Sequence, residues 1–386
     1  MTITGDQKFL KNINRMALVR LIRSEPGLSR ADLATHTGLT KSTVSLLVQE
    51  LIDEGWLAED DALVTGSIGR RPTPLRLDTT RLALIGGDLS LDFVEATATT
   101  LTGEVLEIVT RQNPRNDVDE ILAALADAIL TVSRHVQDQG RSILGLGIGV
   151  PGPVHASSGV LRSSAAAGWK DVPVRAALEQ HLTAGGLPIQ PILLQRRAAC
   201  AALGEVEFSS MQIDEPLLYI HLGLNVGAGM FVRDRLLSGH GGFAGDVGHQ
   251  QLVPDGPLCT CGRHGCAEAL ISLRAMSEAL GVTPNEFKAR LAVGDAKAHD
   301  VLRYAGHYLG VMLHNLWSTF DPAQIVLGGP CCRLGDAYVD AARNTLNQLA
   351  AQAGLSSPNV TVTRFGEHAV SIGATALVLH QLVRPV

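Results

Sequence analysis

Aromatic side chains are scarce: Phe, Tyr and Trp make up 4% of the 386 residues, although hydrophobic residues as a whole reach 46%. A core built under that restriction must be filled by Ala, Val, Leu and Ile. That suits an α/β body with many small helix–strand contacts. Long apolar runs are missing too. No stretch of about 18 apolar residues occurs, and the longest candidates, 143–150 and 216–232, are interrupted by Gly, His or Asn. A membrane-spanning helix is thereby excluded. The first residues lack the charged-then-apolar pattern of a signal segment, so a cytoplasmic protein with no membrane partner is expected. A basic excess is also absent: the net charge is −6, which argues against a chain that coats nucleic acid along its whole length. At this length two or three domains are expected.

The charge is unevenly placed. Residues 1–52 carry a net +3 and leave about −9 to the remainder, as a small nucleic-acid-binding head on an acidic body would. Residues 14–24 show helical spacing, with Met16, Val19, Leu21 and Ile22 on one face and Arg15, Arg20 and Arg23 on the other. After Pro26-Gly27, Ser29 is placed to cap a short second helix, with Asp32 in place of the usual Glu of a capping box. That helix stops at Gly38. Thr40 then caps a third helix, 41–54, whose Val44, Leu47, Val48 and Leu51 form one stripe. Helix, Gly turn, helix is the helix-turn-helix pattern, with a small helical dimerisation module as the plain alternative. The third helix opens on Lys41, Ser42, Thr43 and Ser45, short donors and a cation that suit base edges and phosphates. Two short strands, 63–65 and 74–77, flank Gly69-Arg70-Arg71-Pro72, a basic tip suited to a narrow minor groove. The candidate DNA contacts are therefore Arg30, Thr40, Lys41, Ser42, Thr43, Ser45, Arg70 and Arg71.

Beyond residue 80 the pattern changes. Strands are expected at 82–88, 93–99 and 143–150, with an amphipathic helix at 120–137. A second round follows, with strands at 217–222, 227–232 and 325–327 and a closing helix at 371–381. Two such rounds suggest a duplicated α/β body with a cleft between its lobes.

Of the six cysteines, three cluster. His249, Cys259, Cys261 and Cys266 place one imidazole and three thiols within eighteen residues, with Gly262 and Gly265 between them for tight turns. This is a closed Cys3His set, the structural zinc type with no position left for water. Cys200, Cys331 and Cys332 lie outside that spacing and read as small core or helix-end residues.

The run 239–249, Gly-His-Gly-Gly-Phe-Ala-Gly-Asp-Val-Gly-His, followed by 259–268, Cys-Thr-Cys-Gly-Arg-His-Gly-Cys-Ala-Glu, resembles the ROK family (repressor, open reading frame, kinase) of the actin and hexokinase superfamily. The resemblance covers essentially the whole chain and extends to the xylose- and N-acetylglucosamine-responsive repressors. It implies a winged helix-turn-helix on an actin/hexokinase-like two-lobed body, divided as 1–80, 81–195 with 372–386, and 196–371. It also implies one structural zinc per chain beside a sugar pocket, with Asp246, His249 and Glu268 at ligand-contacting positions.

The resemblance breaks where phosphoryl transfer would need it. The family's kinases carry Asp-x-Gly-Gly-Thr in the first strand turn; this chain has Asp88-Leu89-Ser90-Leu91-Asp92. Their second phosphate loop, Gly-Thr-Gly-x-Gly-x-Gly, becomes Gly223-Leu224-Asn225-Val226-Gly227-Ala228-Gly229. Their Asn-Asp-x-Asn, whose Asp is the catalytic base, aligns on Arg196-Arg197-Ala198-Ala199. A guanidinium cannot act as a base near neutral pH. The expected protein is thus a non-enzymatic regulator of double-stranded DNA, probing a palindromic operator as a homodimer or homotetramer and controlled by a small effector. A ligand-independent regulator, or an active kinase with a DNA-binding head, is the alternative. Arg196 and Arg197 stand where a helix begins, a costly place for cations. An anionic effector held by that pair is one expectation; arginines turned to solvent, or paired with acids such as Glu205 and Glu207 or across the cleft, are the other.

Overall fold

The computed structural model describes residues 7–60, 73–113, 117–155, 157–209 and 213–384. The head comprises α1 (Gln7–Ser24), α2 (Arg30–Thr37), α3 (Lys41–Asp53) and the antiparallel pair β1 (Leu57–Glu59) and β2 (Leu75–Leu77). Its local signals behave as their chemistry dictates. Ser29 and Asp32 form a reciprocal capping box at α2, Gly38 closes that helix in the left-handed conformation, and the Thr40 hydroxyl accepts from the Thr43 amide at α3. Val44, Leu47, Val48 and Leu51 are all buried. The first helix begins seven residues earlier than its apolar spacing indicates. Of the expected wing, the strand after the tip is present as β2, and its partner is β1. Residues 63–65 and the Arg70-Arg71 tip lie outside the described residues.

The body is layered. Its first sheet runs β10-β6-β3-β4-β5, formed by β3 (Leu82–Leu89), β4 (Phe93–Thr99), β5 (Val105–Gln112), β6 (Ser142–Val150) and β10 (Ile192–Arg196). Between β6 and β10 lie a three-stranded ribbon, β7 (Val154–His155), β8 (Val160–Ser164) and β9 (Trp169–Val172), and the helix α5 (Val174–Ala184). The helix α4 (Val118–Asp138) covers the outer face of this sheet. The chain then enters α6 (Arg197–Glu207) and the second sheet, whose order is β13-β12-β11-β14-β15. Its strands are β11 (Leu217–Leu222), β12 (Val226–Val232), β13 (Arg235–Leu236), β14 (Gln324–Gly328) and β15 (Asn359–Val362). Four helices, α7 (Glu268–Ile271), α8 (Leu273–Glu278), α9 (Pro284–Ala292) and α10 (Ala296–Phe320), precede β14. The helix α11 (Asp336–Gln352) follows it, and α12 (Ala369–Val383) ends the described fold.

Between the two sheets lie α6 and α12, and glycines set how closely they approach. A Cβ on Gly86 or Gly147 of the first sheet would stand 2.0 or 1.9 Å from a carbonyl oxygen of α12 (Ser371 and Ala374), and one on Gly229 of the second sheet 2.4 Å from the Ala198 oxygen of α6. These are not tolerated contacts, so at these positions a side chain would wedge the layers apart. The apolar core of the head (Leu18, Val19, Ile22, Leu33, Leu51) runs without a break into that of the α6–α12 layer (Leu203, Phe208, Val378, Leu379, Val383). Separate cores lie outside each sheet.

Candidate DNA-binding face, ligand cleft and metal centre

On α3, Lys41, Ser42 and Ser45 are exposed and Thr43 half-buried, so the start of the second helix of the pair faces outward. Leu46, on the same face, is 59% exposed, a candidate contact that lies off the buried stripe of Val44, Leu47, Val48 and Leu51 and was given no role from sequence. Arg30, by contrast, is turned onto Glu59 of β1 in an ion pair. Arg81, just before β3, donates to the carbonyls of Ile52 (2.8 Å) and Asp53 (2.7 Å), gripping the C-terminal end of α3 from below.

The five residues expected to meet an effector come together. Arg196, Arg197, Asp246, His249 and Glu268 all line one cavity of about 250 Å³ between the sheets, together with the ends of β6 and β8, the turn before β12 and the metal loop. Its walls follow from local geometry. Gly245, at φ +90, brings the 243–246 turn so close that a Cβ would lie 2.1 Å from the Ala228 oxygen. Glu268 is 5% exposed, and its carboxylate is committed to the Val226 amide (3.0 Å) and the Thr260 hydroxyl (3.3 Å).

The two arginines correct one expectation. Both are paired across the cleft. Arg196 donates to the Phe243, Ala244 and Gly245 carbonyls (3.1, 3.1 and 3.0 Å) and to the Asp246 carboxylate (3.1 Å). Arg197 makes a two-pronged pair with Asp88, Nε to Oδ1 at 2.6 Å and Nη2 to Oδ2 at 2.9 Å. Burial works against the Arg197 charge, and Asp88 outweighs it, holding the guanidinium protonated. The case for an anionic effector rested on uncompensated cations at the start of α6. Asp88 and Asp246 remove that motive. Glu205 and Glu207 pair elsewhere: Glu205 with Thr363, and Glu207 with Arg23, Arg384 and His380.

The same geometry decides what stands at the family's base position. Asp88, the acid of the first strand turn, is 1% exposed and bound to the arginine that replaces the base. His221, at the cleft end of β11, also borders the cavity. Its ring nitrogens have no hydrogen-bond partner among the described residues, and burial, with the Arg197 charge second, keeps the imidazole neutral. Sequence reasoning gave it no role.

At the cleft rim, His249, Cys259, Cys261 and Cys266 place their ligand atoms within 4.8 Å of one another. Cys259 Sγ is 3.6 Å from His249 Nδ1, and the Cys261 and Cys266 sulfurs are 3.6 Å apart. A tetrahedral zinc with bonds of about 2.3 Å needs sulfurs about 3.8 Å apart, so the donor set fits that ion. Gly265, at φ +66, lets the loop close: a Cβ there would lie 1.5 Å from the Val253 oxygen. Burial opposes ionisation of the Cys261 thiol, but hydrogen bonds from Arg263 and from the other two cysteines bring it down to about 6, so one ligand is ready as thiolate. Cys200 and Cys331 are buried and Cys332 half-buried, all three unpaired.

A helix-turn-helix head on a two-lobed body of the actin and hexokinase type, with a closed Cys3His loop at the cleft rim, defines the class of molecule. The ROK family model matches residues 85–381, and the chain belongs to the ROK family. A model of the IclR helix-turn-helix domain matches residues 16–61. Over 98% of both chains the sequence is 27% identical to the xylose repressor of Caldicellulosiruptor bescii. It is 25% identical to the DNA-binding transcriptional dual regulator NagC of Escherichia coli, over 97% of this chain and 94% of NagC. In fold it is similar to a ROK family transcriptional regulator described as a homolog of the E. coli MLC protein, with a TM-score of 0.78 at 23% identity over 97% of this chain and 98% of that one. No described helix is long and apolar enough to cross a membrane.

Proposed function

We propose that this protein is a transcriptional repressor that binds double-stranded DNA through α3 and the wing, and releases or engages it according to an uncharged sugar or sugar-derived molecule in the cleft. The observation that carries this reading is the continuity of the head's core with the α6–α12 layer that walls the cleft. Relatives matched over 97–98% of their own length carry the name xylose repressor, which agrees with it. Residues 1–80 act as the DNA-binding unit, 81–195 with 372–386 as the first lobe, and 196–371 as the second. Arg196 and Arg197 frame the cavity, and Asp246 and His249 offer the polar edge to ligand hydroxyls.

The chain does not turn over ATP in this reading. Asp88 is consumed by Arg197, and a guanidinium stands where the family's kinases keep the proton acceptor. One zinc, held by His249, Cys259, Cys261 and Cys266, shapes the rim and fixes the His249 ring; closed four-ligand sites serve structure. A symmetric dimer or tetramer binds a palindrome with half-sites about 10–10.5 bp apart or a multiple of this.

The test is selection of operator duplexes from a random pool by the full chain, followed by binding titrations with D-xylose, D-glucose, N-acetylglucosamine and their phosphates. A palindrome should emerge, and at least one neutral sugar should shift operator affinity about tenfold, worth about 1.4 kcal/mol. Sequence-indifferent DNA binding, or a response to the phosphates alone, contradicts the reading.

A further inference from the structure

Two straight elements run from the cleft to the head. The strand β3, roughly 26 Å long, has Asp88 at its cleft end and Arg81 immediately before its other end. Arg81 holds the last carbonyls of α3 and packs under Gly55, where a Cβ would stand 2.9 Å from the Arg81 Cβ. The helix α6, roughly 16 Å long, has Arg197 at its cleft end and Glu207 at its far end. The Glu207 side chain is fully buried. It receives Arg23 of the head helix α1, Arg384 (2.7 Å) and His380 (2.6 Å), and Arg384 in turn holds Asp234 (2.6 Å). The first element belongs to one sheet. The second packs on the other, its Ala198 oxygen against Gly229.

At the head, then, each element ends on a different helix of the DNA-binding unit, β3 on α3 and α6 on α1. At the cleft both end on the same two-pronged ion pair, Asp88–Arg197, whose side chains are 2% and 11% exposed. Such a pair resists separation, since parting it leaves two buried charges without partners. It also borders the cavity through Arg197. A ligand that changes the spacing of the lobes must load or unload this pair, and the change reaches α1 and α3 at different ends of the head.

We propose that Asp88–Arg197 is the pin of a two-arm linkage, with β3 and α6 as its arms, that converts occupancy of the cleft into a change in the relative setting of α1 and α3. The proposal rests on the repressor reading for its purpose, but its mechanics can be tested without an effector.

The first experiment is hydrogen exchange on the full chain and on the Asp88→Asn/Arg197→Gln double variant, which removes the pair without leaving a lone buried charge. Exchange should rise about fivefold or more at residues 20–24 and 50–54 of the head, while 300–316 of α10 stays unchanged. A change confined to 85–90 and 195–199, or a uniform rise that includes α10, overturns the proposal. The reverse experiment uses the Arg23→Gln/Glu207→Gln variant at the other end of one arm. It should quicken exchange at 195–199, and no change there equally overturns the linkage. In a third arm, with each sugar held at saturation for the protein being titrated, D-xylose, D-glucose or N-acetylglucosamine should shift the operator affinity of the pin variant less than twofold, against about tenfold for the unmodified chain. An intact tenfold shift overturns the pin. Absence of any shift in the unmodified chain counts against the repressor reading instead, and leaves the exchange results to decide the linkage.

Discussion

Arg197 stands where a kinase of this family keeps a carboxylate, and its charge changes the role of every polar group around it. It neutralises Asp88, helps to keep His221 uncharged and leaves the cleft without a free cation at that point. Removing one partner should be far worse than removing both. Asp88→Asn alone strands a buried guanidinium and should cost about 3–5 kcal/mol in denaturant unfolding, with the double variant recovering most of it. Near-equal losses for the single and double variants would mean that the pair is not a unit. At the rim, Cys261 supplies the most acidic thiol of the metal set. Cys261→Ser should lower bound zinc and the thermal midpoint together, read by elemental analysis and calorimetry. Loss of stability with zinc retained at one per chain would reject the structural role. What the residue scale disclosed from sequence was the metal set, whose four ligands sit within eighteen positions, and the five residues that gather at the cavity. The partners were hidden. Nothing in a linear reading joins Arg197 to Asp88, 109 residues away, or Arg23 to Glu207, 184 away.

At the scale of elements, legibility followed the locality of the cause. The helices of the head were readable because their caps and stripes are local: Ser29 with Asp32, Gly38, Thr40, and the four buried residues of α3. The strands β3, β4, β6 and β11 were readable as short apolar runs. The ribbon β7–β9 and the long helix α10 were not assigned, since two- to five-residue strands carry little periodicity and α10 mixes His, Tyr and Asn into its stripe. The beginning of α1 was missed for a related reason. In residues 7–13 the apolar Phe9, Leu10 and Ile13 do not fall on one buried stripe, Leu10 being 54% exposed, and Lys11 is held by Glu50. On α3, the exposed Lys41 next to Ser42 faces away from the core. Lys41→Ala should weaken operator and random DNA alike and reduce the salt slope of binding by about one, measured by titration at several salt concentrations. A loss limited to the operator would assign Lys41 to base recognition instead.

For the whole molecule, the division into a mildly basic head and an acidic body was visible in the charge count, but the way the two meet was not. Opposite net charges on head and body leave the contact between them undefined. The fold instead places α6 and α12 in one apolar cluster with the head and pins them with Glu207. That layer is also the most demanding part to assemble in time. The head closes through short-range contacts, whereas the middle layer needs Thr97 to find Ser371, 274 residues away, and Thr99 to find Thr375, 276 away. Loop closure over such spans is slow. Trp56, buried in the head, reports the first of these steps. In refolding from denaturant, the Trp56 signal should therefore begin in an early phase, before the amides of α12 gain protection, read by stopped flow on a variant with Trp56 as its one tryptophan and by pulse-labelled hydrogen exchange. A head that forms before its regulator gives each newly folding molecule an interval of DNA binding that no ligand governs, and the length of that interval is set by how fast α12 finds its place between the sheets.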